Sequence, residues 1–122
     1  MLIGAALSGF LTVALGAFGA HALRETVPPE LMAAYQTGIQ YQGLHSIAVL
    51  VIGLLLLQLP VSSWIKRSGW LMLLGIVLFS GSLYLMAISG IKPLGMITPF
   101  GGLCLLAGWL SLIVGLIKTK TF

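Results

Sequence analysis

Apolar residues fill this chain in four long stretches separated by short polar punctuation. The stretches lie near residues 1–23, 39–59, 69–89 and 98–117, and basic residues occur only at their margins. Each has about the 20 residues that an α-helix needs to cross a hydrocarbon core some 30 Å thick. The pattern predicts an all-α protein, an integral membrane four-helix bundle with up-down topology, built as one domain over residues 1–122.

The punctuation predicts where the helices stop. Pro28-Pro29-Glu30 ends the first hairpin arm and opens the second, with Pro29 suited to a first helical position and Glu30 to the positive end of the helix dipole. A helix from Pro29 to Leu59 would be about 46 Å long at 1.5 Å per residue, so residues 30–37 either lie in the interface or project beyond the core. Leu31, Met32 and Tyr35 would supply an interfacial apolar face, and Gly38 and Gly43 are candidate bends. Pro60 closes the second span, Ser68 is a candidate N-cap of the third, Gly90 followed by Lys92-Pro93 ends it, and Thr98-Pro99 opens the fourth.

Small residues form two stripes. Gly4, Ser8, Thr12, Gly16 and Ala20 recur every four residues, and Gly101, Gly108 and Gly115 every seven. In lipid such stripes let helices approach closely, so both are expected to be packing surfaces. The first stripe also separates the N-terminal run from a signal peptide, although Ala20-His21-Ala22 resembles a cleavage site. No Lys or Arg precedes that run, and a retained helix is expected.

Composition sharpens the class. Hydrophobic residues make up 59% and charged residues 7% of the chain, with a mean hydropathy of +1.14. A soluble domain carries about 25% charged residues, so lipid must cover most of this surface. The net charge of +4 comes from six scattered cations, not from a clustered phosphate-binding face; no nucleic-acid partner is expected. Those cations set the orientation instead. Lys66, Arg67, Lys118 and Lys120 fall on the side of both termini, Arg24 and Lys92 on the other. The positive-inside rule predicts both termini in the cytoplasm.

Chemistry-bearing side chains gather between Gly16 and His45. His21, Arg24, Tyr41, Gln42 and His45 form a candidate polar cluster, with Tyr41, Gln42 and His45 close together on one helix face. A polar group in hydrocarbon costs several kcal/mol unless it is paired, so that face is expected to meet protein or trapped water. The histidines invite a metal or proton site, yet no Cys or acid joins them at ligand spacing. Metal and cofactor are therefore both expected to be absent. Cys104 sits alone in an apolar run as a packing residue. Glu25 and Glu30 both lie between spans, which weakens a proton-coupled exporter. No nucleophile elbow, phosphate-binding loop or internal repeat appears, and no enzyme is expected.

Five ordered blocks carry a family resemblance: Gly16-Ala17-Phe18-Gly19-Ala20-His21, then Tyr35-Gln36-Thr37-Gly38, Tyr41-Gln42 with His45-Ser46, Leu78-Phe79-Ser80-Gly81-Ser82-Leu83-Tyr84, and Ile97-Thr98-Pro99-Phe100-Gly101-Gly102. Together they resemble the small bacterial inner-membrane proteins of the YgdD type, which are similar in turn to a small transmembrane protein of animals. The resemblance implies a multi-pass protein of the bacterial inner (cytoplasmic) membrane and supplies no substrate, reaction or site residue. Three functional readings remain. The favoured one is a structural or partner-binding accessory protein, with the bilayer and a membrane-protein partner or further copies of the chain around it. The alternative is a small oligomeric channel or transporter using the His/Gln/Tyr site on helices one and two. A third is a lipid- or quinone-interacting protein.

Overall fold

The computed structural model describes residues 1–59 and 62–119, so Pro60 as helix stop and Lys120 in the basic tail lie outside the described residues. Four helices long and apolar enough to cross a membrane account for nearly all of it. Helix α1 spans Leu2–Phe18 and continues into a wider π turn, Gly19–Leu23. Helix α2 spans Pro29–Gln58, α3 Ser63–Ser89 and α4 Thr98–Thr119, with a short 3₁₀ turn at Lys92–Met96 before α4.

The helix ends follow local chemistry, with two differences from expectation. Pro29 sits in the first turn of α2, Glu30 beside it, and Gly90 ends α3 in the left-handed region at φ 73°, where only glycine is unstrained. Helix α3, however, starts at Ser63, and Ser62 is its cap, its Oγ accepting from the Ile65 N–H at 3.4 Å. Ser68 is not a cap: it is buried inside α3, and its hydroxyl donates to the Ile65 carbonyl at 2.6 Å. Trp64, Lys66 and Arg67 form the first turns of the helix instead of a loop. The second difference is at Gly38 and Gly43, where α2 runs on without a break. Both glycines answer to neighbours: a Cβ on Gly38 would meet the Tyr84 ring at 2.7 Å, and one on Gly43 the Thr12 methyl at 3.3 Å.

Helices α2 and α3 form the middle of the molecule; α1 packs chiefly on α2, and α4 on α3. Two apolar clusters fill the interior. One, around Ala5, Val49, Ile52, Ile65, Met72 and Leu105, lies toward the end that carries Ser63. The other, around Leu23, Leu31, Tyr35, Tyr84 and Ala87, lies toward the opposite end. Leu31, Met32 and Tyr35 are thus turned onto protein as the opening turns of α2. Between the clusters runs a belt of buried polar side chains: Ser8, Gln42, His45, Ser46 and Ser80.

Candidate functional site

The polar belt is built by α2 and read by all three of its neighbours. Gln42 sits at its centre. Its amide nitrogen donates to the Ser8 carbonyl at 3.1 Å and the Ser8 hydroxyl at 3.2 Å on α1, and its amide oxygen accepts from the Tyr84 hydroxyl on α3 at 2.6 Å. The Ser46 hydroxyl lies 2.6 Å from the Gln42 carbonyl and 2.7 Å from the Ser8 hydroxyl. A serine has one proton to give. The arrangement balances when Ser46 donates to Gln42, and Ser8 donates to Ser46 while accepting from the amide. Nearby, Ser80 donates to the Gly38 carbonyl at 2.7 Å, tying α3 to α2. Tyr35 donates to the Leu15 carbonyl, and its ring lies 5.0 Å from that of Tyr84.

Glycines make room for those rings. The Tyr35 ring lies against Gly19, at the start of the π turn, and the Tyr84 ring against Gly38. A π turn carries one extra residue per turn and is common where a helix bends around a contact; here it coincides with the seat of Tyr35. Three of the sequence blocks thereby acquire a physical meaning: Gly19 pairs with Tyr35, and Gly38 with Tyr84.

His45 turns toward α4 instead. Its Nδ1 lies 2.7 Å from the Tyr41 carbonyl, and Trp109 Nε1–H of α4 donates to its Nε2 at 2.9 Å. A carbonyl can only accept, so Nδ1 carries the proton and Nε2 offers its lone pair to the indole. Both ring nitrogens are therefore satisfied by one neutral tautomer. A metal ion at Nε2 would have to displace Trp109. Among the described residues, no three His, Cys, Asp or Glu side chains gather to hold a metal, and no fully buried side-chain polar atom lacks a partner.

The candidate cluster accordingly divides. Gln42 turns to α1 and α3, His45 to α4, and Tyr41, stacked on His45 with centroids 6.1 Å apart, is 43% exposed. His21 is exposed in the π turn and Arg24 just beyond it, and neither hydrogen-bonds to the three α2 residues. Trp109 and Ser8 complete the site from helices where the sequence pattern marks them only as apolar filler and small stripe. Their signal was their type: an indole N–H and a hydroxyl deep in a span each need an acceptor or donor.

The two stripes have different neighbours. A Cβ on Gly108 would stand 2.7 Å from the Met72 side chain and 3.2 Å from the Ser68 carbonyl; one on Gly115 would stand 2.6 Å from the Ile65 side chain. Gly101 is tighter, with its virtual Cβ 2.7 Å from Phe79 Cα and 2.8 Å from the Leu78 carbonyl carbon. All three face α3 within one chain. Gly4 and Gly16 meet only ordinary contacts, Leu73 at 3.4 Å and Ile39 at 3.7 Å, and Thr12 back-bonds to the Ser8 carbonyl at 2.8 Å. Where α3 begins and α4 ends, Trp64 lies between Arg67, 5.6 Å from the ring centre, and Lys118, 5.1 Å from it.

Comparison with known proteins places this arrangement. A family described as "Protein of unknown function (DUF423)" matches residues 15–102. The chain belongs to that family. The DUF423 match takes in Gly19, Tyr35, Gly38, Gln42, His45 and Tyr84. The chain is 47% identical to the UPF0382 inner membrane protein YgdD of Escherichia coli (strain K12) over 120 residues, covering 98% of this chain and 91% of that one. It is 39% identical to the UPF0382 membrane protein YwdK of Bacillus subtilis (strain 168), covering 96% and 95%. A UPF0382 membrane protein of Haemophilus influenzae is 44% identical over 116 residues. No solved structure matches the chain. This DUF423 member is thus a multi-pass, all-helical protein of the bacterial inner membrane.

Proposed function

We propose that the chain is a structural, partner-binding accessory protein of the inner membrane. The observation that carries this reading is the closure of its polar belt. Gln42, Ser8, Ser46, Tyr84, His45 and Trp109 satisfy one another, and no fully buried polar atom is left over among the described residues. Groups that turn over a substrate or pass an ion need free lone pairs or protons; here those groups are consumed in holding helices together. That weighs against an enzyme and against a pore through a single chain. The outward side of α1, with Ile3, Phe10 and Val13 each more than two-thirds exposed, offers apolar surface to lipid or to a neighbouring membrane protein.

In this reading both termini are cytoplasmic. The end of the molecule that carries Lys66, Arg67 and Lys118 holds three cations among the described residues, against Arg24 and Lys92 at the other. Reporter fusions after Phe122 test it, and an external C-terminus would overturn it.

Native mass spectrometry of protein released in mild detergent, after crosslinking in cells, tests the accessory role. A second membrane protein in fixed stoichiometry is the expected result. A discrete homo-oligomer whose ion or solute flux disappears in a well-folded His45→Ala variant would replace the accessory reading with a channel or transporter.

A further inference from the structure

The Tyr41 hydroxyl stands apart from the closed belt. It has no hydrogen-bond partner among the described residues, whereas the hydroxyls of Tyr35 and Tyr84 both donate across helix interfaces. Tyr41 lies well inside α2, twelve residues past Pro29, or about 18 Å along the helix. An unpaired hydroxyl at such a depth is costly in hydrocarbon. It sits in a cleft of about 590 Å³ between α2 and α4, within the size range of small-molecule sites.

The lining of that cleft specifies its ligand. Its walls are aromatic: the Tyr41 and Phe79 rings are 4.6 Å apart, and His45 meets Trp109 edge-on at 5.9 Å. Leu44, Leu103 and Leu106 continue the surface, each more than half exposed, so the cleft opens sideways toward the bilayer. Lys, Arg, Asp and Glu are all absent from its lining, so neither a phosphate headgroup nor a cationic substrate finds a counter-charge. The indole N–H and both imidazole nitrogens are already bonded. What is left is a single neutral hydroxyl beside flat rings.

We infer that the α2–α4 cleft binds a neutral lipid with a planar carbonyl-bearing ring, of the prenylated-quinone class. The ring stacks among Tyr41, Phe79 and Trp109, the Tyr41 hydroxyl donates to a ring carbonyl, and the tail leaves along Leu103 and Leu106. The inference is independent of the accessory role and needs no redox step.

A quinone with a short prenyl tail, titrated into the detergent-solubilised chain, tests it by quenching of tryptophan fluorescence. Trp109 reports the cleft; a Trp64→Phe, Trp70→Phe background removes the other two tryptophans. Saturable quenching is expected. Tyr41→Phe keeps the ring and removes only an unpaired hydroxyl, so it should weaken binding about three- to tenfold without lowering the melting temperature of the ligand-free protein. Leu106→Trp should block the cleft, read by competition against a radiolabelled quinone because it adds a fluorophore. Linear quenching that never saturates would overturn the proposal. So would wild-type affinity in both variants, or equal competition by a saturated phosphatidylcholine, which would make the cleft ordinary lipid-facing surface. A co-purified protein helix that excludes the quinone would overturn it as well.

Discussion

The α1–α2 and α3–α4 interfaces both begin in sequence as stripes of small residues, and they work in opposite ways. Between α3 and α4 the stripe is dry and tight. Gly101, Gly108 and Gly115 bring α4 onto the α3 backbone, and Gly75 returns the contact, its virtual Cβ 2.7 Å from Leu105 Cγ and 3.1 Å from the Gly101 carbonyl. On the α1 stripe itself the glycines have room, Gly4 and Gly16 meeting Leu73 and Ile39 only at ordinary distance; the close α1–α2 approaches lie off the stripe, at Gly19 against Tyr35 and at Gly53, whose virtual Cβ is 2.8 Å from Leu2 Cγ. Along the stripe the join is made by Ser8 bonding to Gln42 and Ser46. Lipid supplies no hydrophobic drive to pair helices, so each interface needs either close van der Waals contact or hydrogen bonds. The α4 stripe uses the first device and the α1 stripe the second, while each interface borrows from the other: Ser82 bonds Thr98 between α3 and α4, and Gly53 packs on Leu2 between α1 and α2.

That contrast is broken most severely at Gly101. Gly101→Ala must push α4 off the Leu78–Phe79 backbone, and a loss of about 3 kcal/mol is expected by unfolding in mixed micelles. Next comes Gln42→Leu, which keeps the bulk and orphans the Tyr84 hydroxyl and the Ser8 pair; about 2 kcal/mol should be lost. If Gln42→Leu proves neutral, the α1–α2 join is packing after all. His45→Ala should cost about 1–2 kcal/mol, with partial recovery in His45→Asn or His45→Gln. Combined with Trp109→Phe, a double-mutant cycle should give a coupling of about 0.6 kcal/mol, typical of hydrogen bonds between membrane helices. The smallest effect belongs to Gly16→Ala, within about 0.5 kcal/mol of zero, because an added methyl meets Ile39 only at ordinary distance. A large loss there would erase the distinction between the stripes.

Much of the architecture was legible in the sequence because it depends on length and local chemistry. Four apolar runs, Pro28-Pro29, Gly90 and Thr98-Pro99 fix the helices and most of their ends. The side-chain partners were not, because they depend on which helix lies where. Gln42 and His45 are three residues apart and so only about 60° apart around α2. On a helix with one neighbour they would share a partner. On a central helix flanked on several sides, 60° sends Gln42 to Ser8 and Tyr84 and His45 to Trp109. Thr98 shows the same limit: it is expected to cap α4 before Pro99, yet it is the first residue of the helix and its hydroxyl pairs with Ser82 of α3. The start of α3 was misplaced for another reason. Trp64, Lys66 and Arg67 look like a loop by polarity, but interfacial residues can be helical once Ser62 caps them.

The polar belt also sets an order of dependence. Its central bonds join Ser8, Gln42, Ser46, Ser80 and Tyr84, all of which belong to the first three helices. The first three helices can therefore settle their most costly groups among themselves, while His45 Nε2 and the hollow at Gly75 need Trp109 and Leu105 of α4. The Trp64 clamp depends on the last turn of α4, through Lys118. The central hydrogen-bonded frame is thus complete without α4, and the close-packed fourth helix closes its open side.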